Sequence, residues 1–280
     1  PNNRNSLFKW VTFLTGSKNT IKGIGFFFGG LLLGFLGFNL SLIFMVVFLL
    51  SVLIASFFFI PRKIGKIDNK TKFIEVFSVN NNINKLSAAR IFLFGARDVW
   101  FVVGLPLFFY SILSDGTNIK NVEAFFIISG FLAIWIILYG FVQTTTPKII
   151  NFKNNKISIV RLTKQWALYL FPIPIILIFL LKLFQTGDMS TLYMTVLVLL
   201  AFGFVFAINS ALHSYLILEF SDEKRASMDV GFYYMANAAG RLIGTLFSGI
   251  AYSYGGIESC LFICAFMLLL NRLIINRVSE

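Results

Sequence analysis

Residues 231–249, GFYYMANAAGRLIGTLFSG, carry an arginine in the middle of a stretch that is otherwise apolar enough to cross a membrane. A charged side chain at the bilayer centre costs about 3 kcal/mol or more, so Arg241 requires a partner or a ligand. The polar residues of this stretch recur at helical spacing on one face, and they are Tyr234, Asn237, Arg241, Thr245 and Ser248. We expect this face to line protein or water rather than lipid.

The same stretch also predicts a close helix contact. Gly240, Gly244 and Ser248 follow one another at four-residue spacing and form a seam of small side chains. Such a seam lets a neighbouring membrane helix approach closely.

The composition of the whole chain places it in a membrane. Of the 280 residues, 58% are hydrophobic and 17% are aromatic, with 35 Phe. Only 13% are charged, whereas soluble domains have about 25% charged residues. The net charge of +12 would suggest nucleic acid in a soluble protein. Here the positions of the cations matter more than their sum, so we predict a lipid bilayer as partner and no nucleic acid.

We expect an all-α membrane protein with about eight transmembrane helices, since about 20 apolar residues cross ~30 Å of hydrocarbon. Seven segments bounded by turn or polar residues are predicted at 40–60, 87–112, 122–146, 163–184, 191–219, 228–253 and 256–276. An earlier apolar run, 23–37, gives only about 22 Å of helix. It must extend back to roughly residue 7, with Ser6 as N-cap. This puts Lys22 near the helix centre and Lys18 one turn earlier.

Lys and Arg residues concentrate in alternate connections, and this pattern predicts the orientation. Basic connections face the cytoplasm; here they are 61–85, 147–164, the segment with Lys224 and Arg225, and both ends of the chain. The termini of this chain are therefore predicted to be cytoplasmic. We interpret 61–85 as a basic cytoplasmic central linker between two helices in 1–60 and six helices in 86–280.

Cations outnumber carboxylates near the predicted bilayer midplane. Lys18, Lys22, Arg97 and Arg241 lie there with Asp98 as the one acidic residue. Uncompensated buried cations are unfavourable unless an anion visits the site, and arginine suits carboxylate, phosphate or arsenate. We therefore predict a transient anion site. Two alternatives stay open: these charges neutralise one another to hold the bundle together, or residues outside this sequence supply pairing carboxylates.

Other polar residues within the predicted helices are candidates for supporting roles. Tyr234, Asn237 and Asn209 would orient the anion, and Asp98 or His213 would be the protonatable group. His213 lies four residues after Asn209, on the same face. The alternative for His213 is a packing role.

The two cysteines do not indicate a metal site. Cys260 and Cys264 lie one helical turn apart in an apolar segment, and a soft-metal site needs more ligands than two thiols. We interpret them as packing residues. We predict no metal, no cofactor and no enzyme activity, because no predicted helix has a paired carboxylate and histidine or an activated nucleophile.

Four blocks of sequence carry a resemblance to known transporters. They resemble the organoarsenical efflux transporters of the ArsJ type, and they are FKWVTFLTGSKNTIKGIGFFFGG at 8–30, LSAARIFLFGARDVWFVVGLP at 86–106, NSALHSYLI at 209–217 and DVGFYYMANAAGRLIGTLFSG at 229–249. The resemblance implies the major facilitator superfamily fold, with this chain as the last eight of twelve helices. The run from Gly25 to Gly30, GFFFGG, is similar to the helix-five antiporter motif G-P-x-x-G-G, with Phe26 in place of proline.

The resemblance also implies a substrate and a setting. Proteins of this family are thought to export 1-arseno-3-phosphoglycerate, which forms when glyceraldehyde-3-phosphate dehydrogenase, the implied functional partner, uses arsenate in place of phosphate. We expect a monomer that exports this anion by alternating access with proton coupling, and such export would confer arsenate resistance at the bacterial plasma membrane. We expect this chain to be inactive without the four family helices that precede it.

Two other functions compete with this expectation. The same fold could export another small organic anion, a sugar phosphate or a drug. A receptor or scaffold without transport activity is the second alternative, but such a protein has no need for cations on the inner faces of several helices.

Overall fold

The described part of the chain is almost entirely helical. The structure, a computed structural model, describes residues 2–59, 77–151, 158–184, 188–222 and 225–279. Every regular element in these ranges is an α-helix, and the helices are α1 (Asn2–Phe59), α2 (Asn81–Phe101), α3 (Gly104–Leu113), α4 (Asn118–Ile149), α5 (Ile159–Leu170), α6 (Pro172–Leu183), α7 (Met189–Phe220) and α8 (Ala226–Ile275).

These helices make a multi-pass membrane protein. Six helical stretches are long and apolar enough to cross a bilayer, counting α2 with α3 and α5 with α6. The stretch Phe8–Phe59 has 52 residues, or about 78 Å, which is far more than one bilayer crossing requires. Its backbone is non-helical at Gly37, and α8 is interrupted in the same way at Gly255 and Gly256. Each interruption separates two segments of membrane-spanning length, at the positions where the sequence predicts separate helices.

Two predicted helix starts were wrong. Helix α1 begins at Asn2, so Ser6 lies inside the helix and is not its N-cap. Helix α2 begins at Asn81 rather than 87, because the Asn80 side chain accepts a hydrogen bond from the amide of Asn82 and caps the helix. The linker predicted at 61–85 therefore ends in a helical turn, and its part up to residue 76 lies outside the described residues.

A proline interrupts the helical stretch that contains the predicted anion site. Pro106 has no amide hydrogen and its ring crowds the preceding turn, so α2 ends at Phe101 and α3 starts at Gly104. The amides of Val103 and Gly104 both donate to Ser248 Oγ on α8, at 3.2 and 3.1 Å. Ser248 thus satisfies backbone groups that the interruption would otherwise leave unpaired.

Helices α2 and α8 approach so closely that their backbones touch, which confirms the predicted seam. A Cβ atom added at Gly244 would lie 2.5 Å from the carbonyl oxygen of Gly95, and one at Gly240 would collide with the backbone of Ile91. Larger residues at these two positions would push the helices apart.

Helix α1 packs against α4 through a second set of glycines. Gly16 lies against the backbone of Gly140, Gly23 against Ala133 and Gly30 against the Ser129 side chain. The glycine-rich sequence of α1 therefore packs closely against α4, but only on one side. Gly25 and Gly29 have no neighbour within 4 Å of an added Cβ and line a cavity instead.

A cluster of aromatic side chains fills the interior between these helices. The ring of Trp100 lies edge-on to Trp135 and Phe202, with ring centroids 5.7 and 5.3 Å apart. Phe206 stacks on Phe202 at 5.7 Å and contacts Phe94 at 5.3 Å. This cluster packs α2 against α4, which carries Trp135, and against α7, which carries Phe202 and Phe206.

The glycine seam gives a direct test of the packing. Replacing Gly244 with alanine should destabilise the protein by about 1–3 kcal/mol, because the new methyl group meets a backbone carbonyl that cannot move away freely. Thermal unfolding in detergent would measure the change.

Gly249 is the matched control on the same helix, because an added Cβ there meets nothing within 4 Å. The change Gly249→Ala should stabilise the helix by up to about 1 kcal/mol. Equal melting temperatures for the two variants would contradict the packing described for α2 and α8.

Candidate anion-binding site

Two cavities meet at one lysine. The first has a volume of about 900 Å³, and the second has a volume of about 160 Å³. Lys22 of α1 lines both. The first cavity extends towards the connection at 114–117, and the second extends towards the opposite end of the bundle, where α7 ends and α8 begins.

The two cavities differ in chemical character. The first is mostly apolar, and its lining includes Phe26, Leu33, Met45, Leu107 and Phe125, with Lys22 and Arg241 as the charged residues. The second is lined mainly by residues with polar or charged side chains, which include Lys18, Asn19, Lys22, Arg90, Tyr139, Ser210, Ser214, Tyr234 and Asn237. Neither lining contains Asp or Glu among the residues that the structure describes.

Asp98 holds two arginines from different helices. Its Oδ1 atom accepts from Arg97 Nε at 2.6 Å and pairs with Arg97 Nη2 at 2.5 Å. Its Oδ2 atom accepts from Arg241 Nε at 2.9 Å. Asp98 is buried, with 1% of its side chain exposed, whereas the Arg241 side chain is 46% exposed. One carboxylate therefore offsets two cations and leaves one net positive charge on the three residues.

The two arginines of this cluster face different surroundings. The Arg97 guanidinium lies 4.8 Å from the centre of the Phe94 ring and 5.6 Å from that of Phe206, so it is embedded among aromatic residues. It lines neither cavity. Arg241 reaches the first cavity and is the member of the cluster placed to contact a ligand there.

The two lysines of α1 lie on the cavity surface. Lys18 Nζ lies 5.7 Å from the centre of the Tyr234 ring, within the range of a cation–π contact. Lys22 is close enough to Arg241, Lys18 and Arg97 to be repelled by their charges, with Asp98 as the nearby attractive charge. An anion between Lys22 and Arg241 would relieve this repulsion.

Arg90 lines the second cavity, and the sequence argument gave it no role in the site. Its Nε atom donates to Asn237 Oδ1 at 3.1 Å, and its Nη1 atom donates to the carbonyl oxygen of Ser210 at 3.2 Å. The seven-residue spacing from Arg97 was a signal that both residues share one face of α2. The spacing alone could not reveal that Asp98 pairs with Arg97 and not with Arg90.

The remaining sequence candidates divide into two groups. Tyr234 and Asn237 line the second cavity, as an orienting role requires. Asn209 is fully buried and lines neither cavity, because its amide group donates to the carbonyl oxygens of Trp166 and Val205. His213 is also fully buried away from both cavities, and neither ring nitrogen makes a hydrogen bond to the described residues.

A hydrogen-bonded chain beside the second cavity was not anticipated from the sequence. Asn19 of α1 donates to Gln143 Oε1 on α4 at 2.5 Å, and Gln143 Nε2 donates to the Tyr139 hydroxyl at 2.9 Å. Gln143 is fully buried. This chain links α1 to α4 at Asn19, which lies between Lys18 and Lys22 in the sequence and lines the same cavity.

The cysteines lie in the helix contact rather than in a cavity. Cys260 and Cys264 are buried free thiols, and Cys260 Sγ contacts the carbonyl oxygen of Ser248 at 3.5 Å. Within the described ranges, no three His, Cys, Asp or Glu side chains are grouped so that they could hold a metal ion.

Comparison with known proteins leaves the family open, since the chain matches no protein-family model, no curated protein and no solved structure. The major facilitator and ArsJ-type assignments therefore stay predictions from the sequence blocks.

The cluster around Asp98 predicts unequal costs for removing its members. Asp98→Asn should destabilise the protein by about 3 kcal/mol or more, because Arg97 would be left buried without a counter-charge. Arg241→Gln should cost less, because Arg97 still pairs with Asp98 and the Arg241 side chain is half exposed. Denaturant or thermal unfolding in detergent would measure both.

The double variant Arg97→Gln/Asp98→Asn is the control, since it removes the buried cation with its partner. It should be more stable than Asp98→Asn alone. A single Asp98→Asn variant as stable as wild type would show that the carboxylate does not hold these arginines.

Proposed function

We propose that this protein is an exporter of a small organic anion, of the major facilitator type, in the bacterial plasma membrane. The sequence resemblance makes 1-arseno-3-phosphoglycerate the proposed substrate and arsenate resistance the proposed outcome. Transport would follow alternating access, with the anion passing between the two cavities.

The observation that carries the proposal is the position of Lys22 where the two cavities meet. Lys18 and Arg90 lie in one cavity and Arg241 in the other, and the described lining of both lacks a carboxylate. A polyanion moving from one cavity to the other would remain close to a cation throughout. Cations within membrane-spanning helices are costly, and a transported anion would account for their presence.

Arg241 has a specific place in this proposal. Its side chain is tied to Asp98 through Nε, while it also lines the first cavity. An arriving anion would compete with Asp98 for this guanidinium and weaken the ion pair between α2 and α8. Asp98 would then be the protonatable group that responds to the substrate.

A related function changes only the cargo. The first cavity is much larger than the second and mostly apolar, with Phe26, Leu33 and Phe125 in its lining. This favours an organic anion with an apolar part, such as an anionic drug, as the second candidate.

Transport into everted membrane vesicles, by the full-length protein that the family resemblance implies, would test the substrate. Arsenic should accumulate when arsenate is supplied with glyceraldehyde-3-phosphate dehydrogenase, glyceraldehyde 3-phosphate and NAD, and it should not accumulate with arsenate alone. Uptake in neither condition, with the protein present in the membrane, would reject the organoarsenical and direct the search to other organic anions.

Variants of the cluster provide the control for this assay. Arg241→Ala and Arg97→Ala should insert into the membrane but lose uptake. Lys120→Ala should keep uptake, because Lys120 lines neither cavity and forms an exposed pair with Glu123. Uptake at the wild-type rate by both arginine variants would contradict the assignment of Arg97 and Arg241 to the substrate site.

The proposed orientation has its own test. In a protein with Cys260 and Cys264 replaced by alanine, the variant Thr117→Cys should react with a membrane-impermeant thiol reagent in intact spheroplasts. The variant Ser279→Cys should react only after the membrane is permeabilised, because chain termini rich in Lys and Arg face the cytoplasm. The reverse labelling pattern would show that the chain has the opposite orientation.

A further inference from the structure

Arg90 is a buried cation without an acidic partner among the described residues. Its side chain is 3% exposed, and no carboxylate of the described ranges pairs with it. It differs in this respect from Arg97, which lies seven residues later on the same helix and pairs with Asp98. A buried guanidinium of this kind is unfavourable unless another charge compensates it.

The surrounding residues hold the Arg90 guanidinium in one orientation. Its central carbon lies 3.9 Å from the centre of the Phe94 ring and 4.8 Å from that of Tyr233, so aromatic rings contact the flat group. Two of its edges are occupied by Asn237 and by the carbonyl oxygen of Ser210. Nη2 makes no hydrogen bond to the described residues, so its donors are available at the cavity that Arg90 lines.

The second cavity supplies the rest of an oxyanion site. Lys18 and Lys22 line the same space, which has a volume of about 160 Å³. Since a water molecule takes about 30 Å³, this space holds roughly five waters or one oxyanion group with a few waters. Arginine and lysine donors around a small polar space recognise phosphate or carboxylate.

We propose that Arg90, with Lys18 and Lys22, forms the subsite that binds the phosphate or carboxylate group of the transported anion. The inference rests on the proposed function and adds a primary binding residue to it. Arg97 then neutralises the charge of Asp98. Arg90 instead contacts aromatic rings, is oriented by two hydrogen bonds, and has no carboxylate partner among the described residues.

Asn237 offers an isosteric test, because its Oδ1 atom accepts from Arg90 Nε at 3.1 Å. The change Asn237→Asp places a carboxylate at the same position and gives Arg90 a permanent counter-charge. The wild-type protein in detergent at low salt would be titrated with 3-phosphoglycerate and with inorganic phosphate, using isothermal titration calorimetry. Asn237→Asp should lower the affinity at least about tenfold without lowering the melting temperature.

Asn118→Asp is the matched control, since Asn118 is the exposed first residue of α4 and gains the same charge far from the cavity. It should bind both probes like wild type. Arg90→Lys should bind the probes with an affinity between those of wild type and Asn237→Asp, because it keeps the positive charge and loses the planar pair of guanidinium donors. If substitutions at Arg90 prevent folding, Lys18→Gln, at an exposed position, should still weaken binding several-fold.

The possible outcomes separate this inference from the proposed function. No binding of either probe by wild type would contradict the anion transporter itself. If wild type binds the probes and Asn237→Asp and Lys18→Gln bind them with the same affinity, the Arg90 subsite is overturned, whereas the proposed transporter function is not contradicted. Adding phosphatidylglycerol to the micelles tests whether a lipid headgroup is the other source of phosphate. If the lipid competes with the probes in wild type but not in Asn237→Asp, the subsite belongs to a lipid headgroup and the proposal is overturned.

Discussion

A single carboxylate at Asp98 has to offset two guanidinium groups inside a helix bundle whose core is mostly aliphatic and aromatic. The requirement is severe because charges in a membrane interior are costly unless their partners lie within hydrogen-bond distance. Arg97 reaches Asp98 within α2, but Arg241 can do so only if α8 lies directly against α2. The absence of side chains at Gly240 and Gly244 permits this approach, and a Cβ at Gly244 would lie 3.1 Å from that of Asp98. The ion pair and the glycine seam therefore depend on each other.

The same close approach explains the interruption between α2 and α3. Pro106 breaks the helix one turn beyond the ion pair, and the Ser248 hydroxyl is near enough to accept from the freed amides of Val103 and Gly104. A backbone irregularity at membrane depth is tolerated where neighbouring protein satisfies its polar groups. Cys260 contacts Ser248 from the second segment of α8 and completes this packing.

Sequence reasoning succeeded where periodicity determines the answer and failed where the answer depends on a neighbouring helix. Apolar length and turn residues located the membrane segments, and four-residue spacing identified the Gly240–Gly244–Ser248 seam. The same reasoning placed Asn209 and His213 in the site because they share a face, yet that face of α7 is fully buried. Arg90 and Arg97 share a helix face, and the sequence places Asp98 directly after Arg97. The packing adds that the Asp98 carboxylate pairs with Arg97, whereas Arg90 has aromatic rings and a cavity beside it.

The Asp98 cluster also fixes the sign of any coupling between protons and the anion. Protonating Asp98 would remove the charge that holds Arg97 of its own helix, Arg241 of α8 and, at longer range, Lys22 of α1. These cations would then attract an anion more strongly, so proton and anion binding favour each other at this site. In the proposed exporter, a proton bound at Asp98 would therefore not displace the anion, and this site would not drive an exchange of the two. Export of a polyanion from a negatively charged cytoplasm has another source of energy, since the membrane potential contributes about 2.3 kcal/mol per charge at 100 mV. In the proposed exporter, Asp98 thus tunes the affinity of the neighbouring cations for the anion. The membrane potential, acting on the negative charge of the anion, sets the direction of net transport.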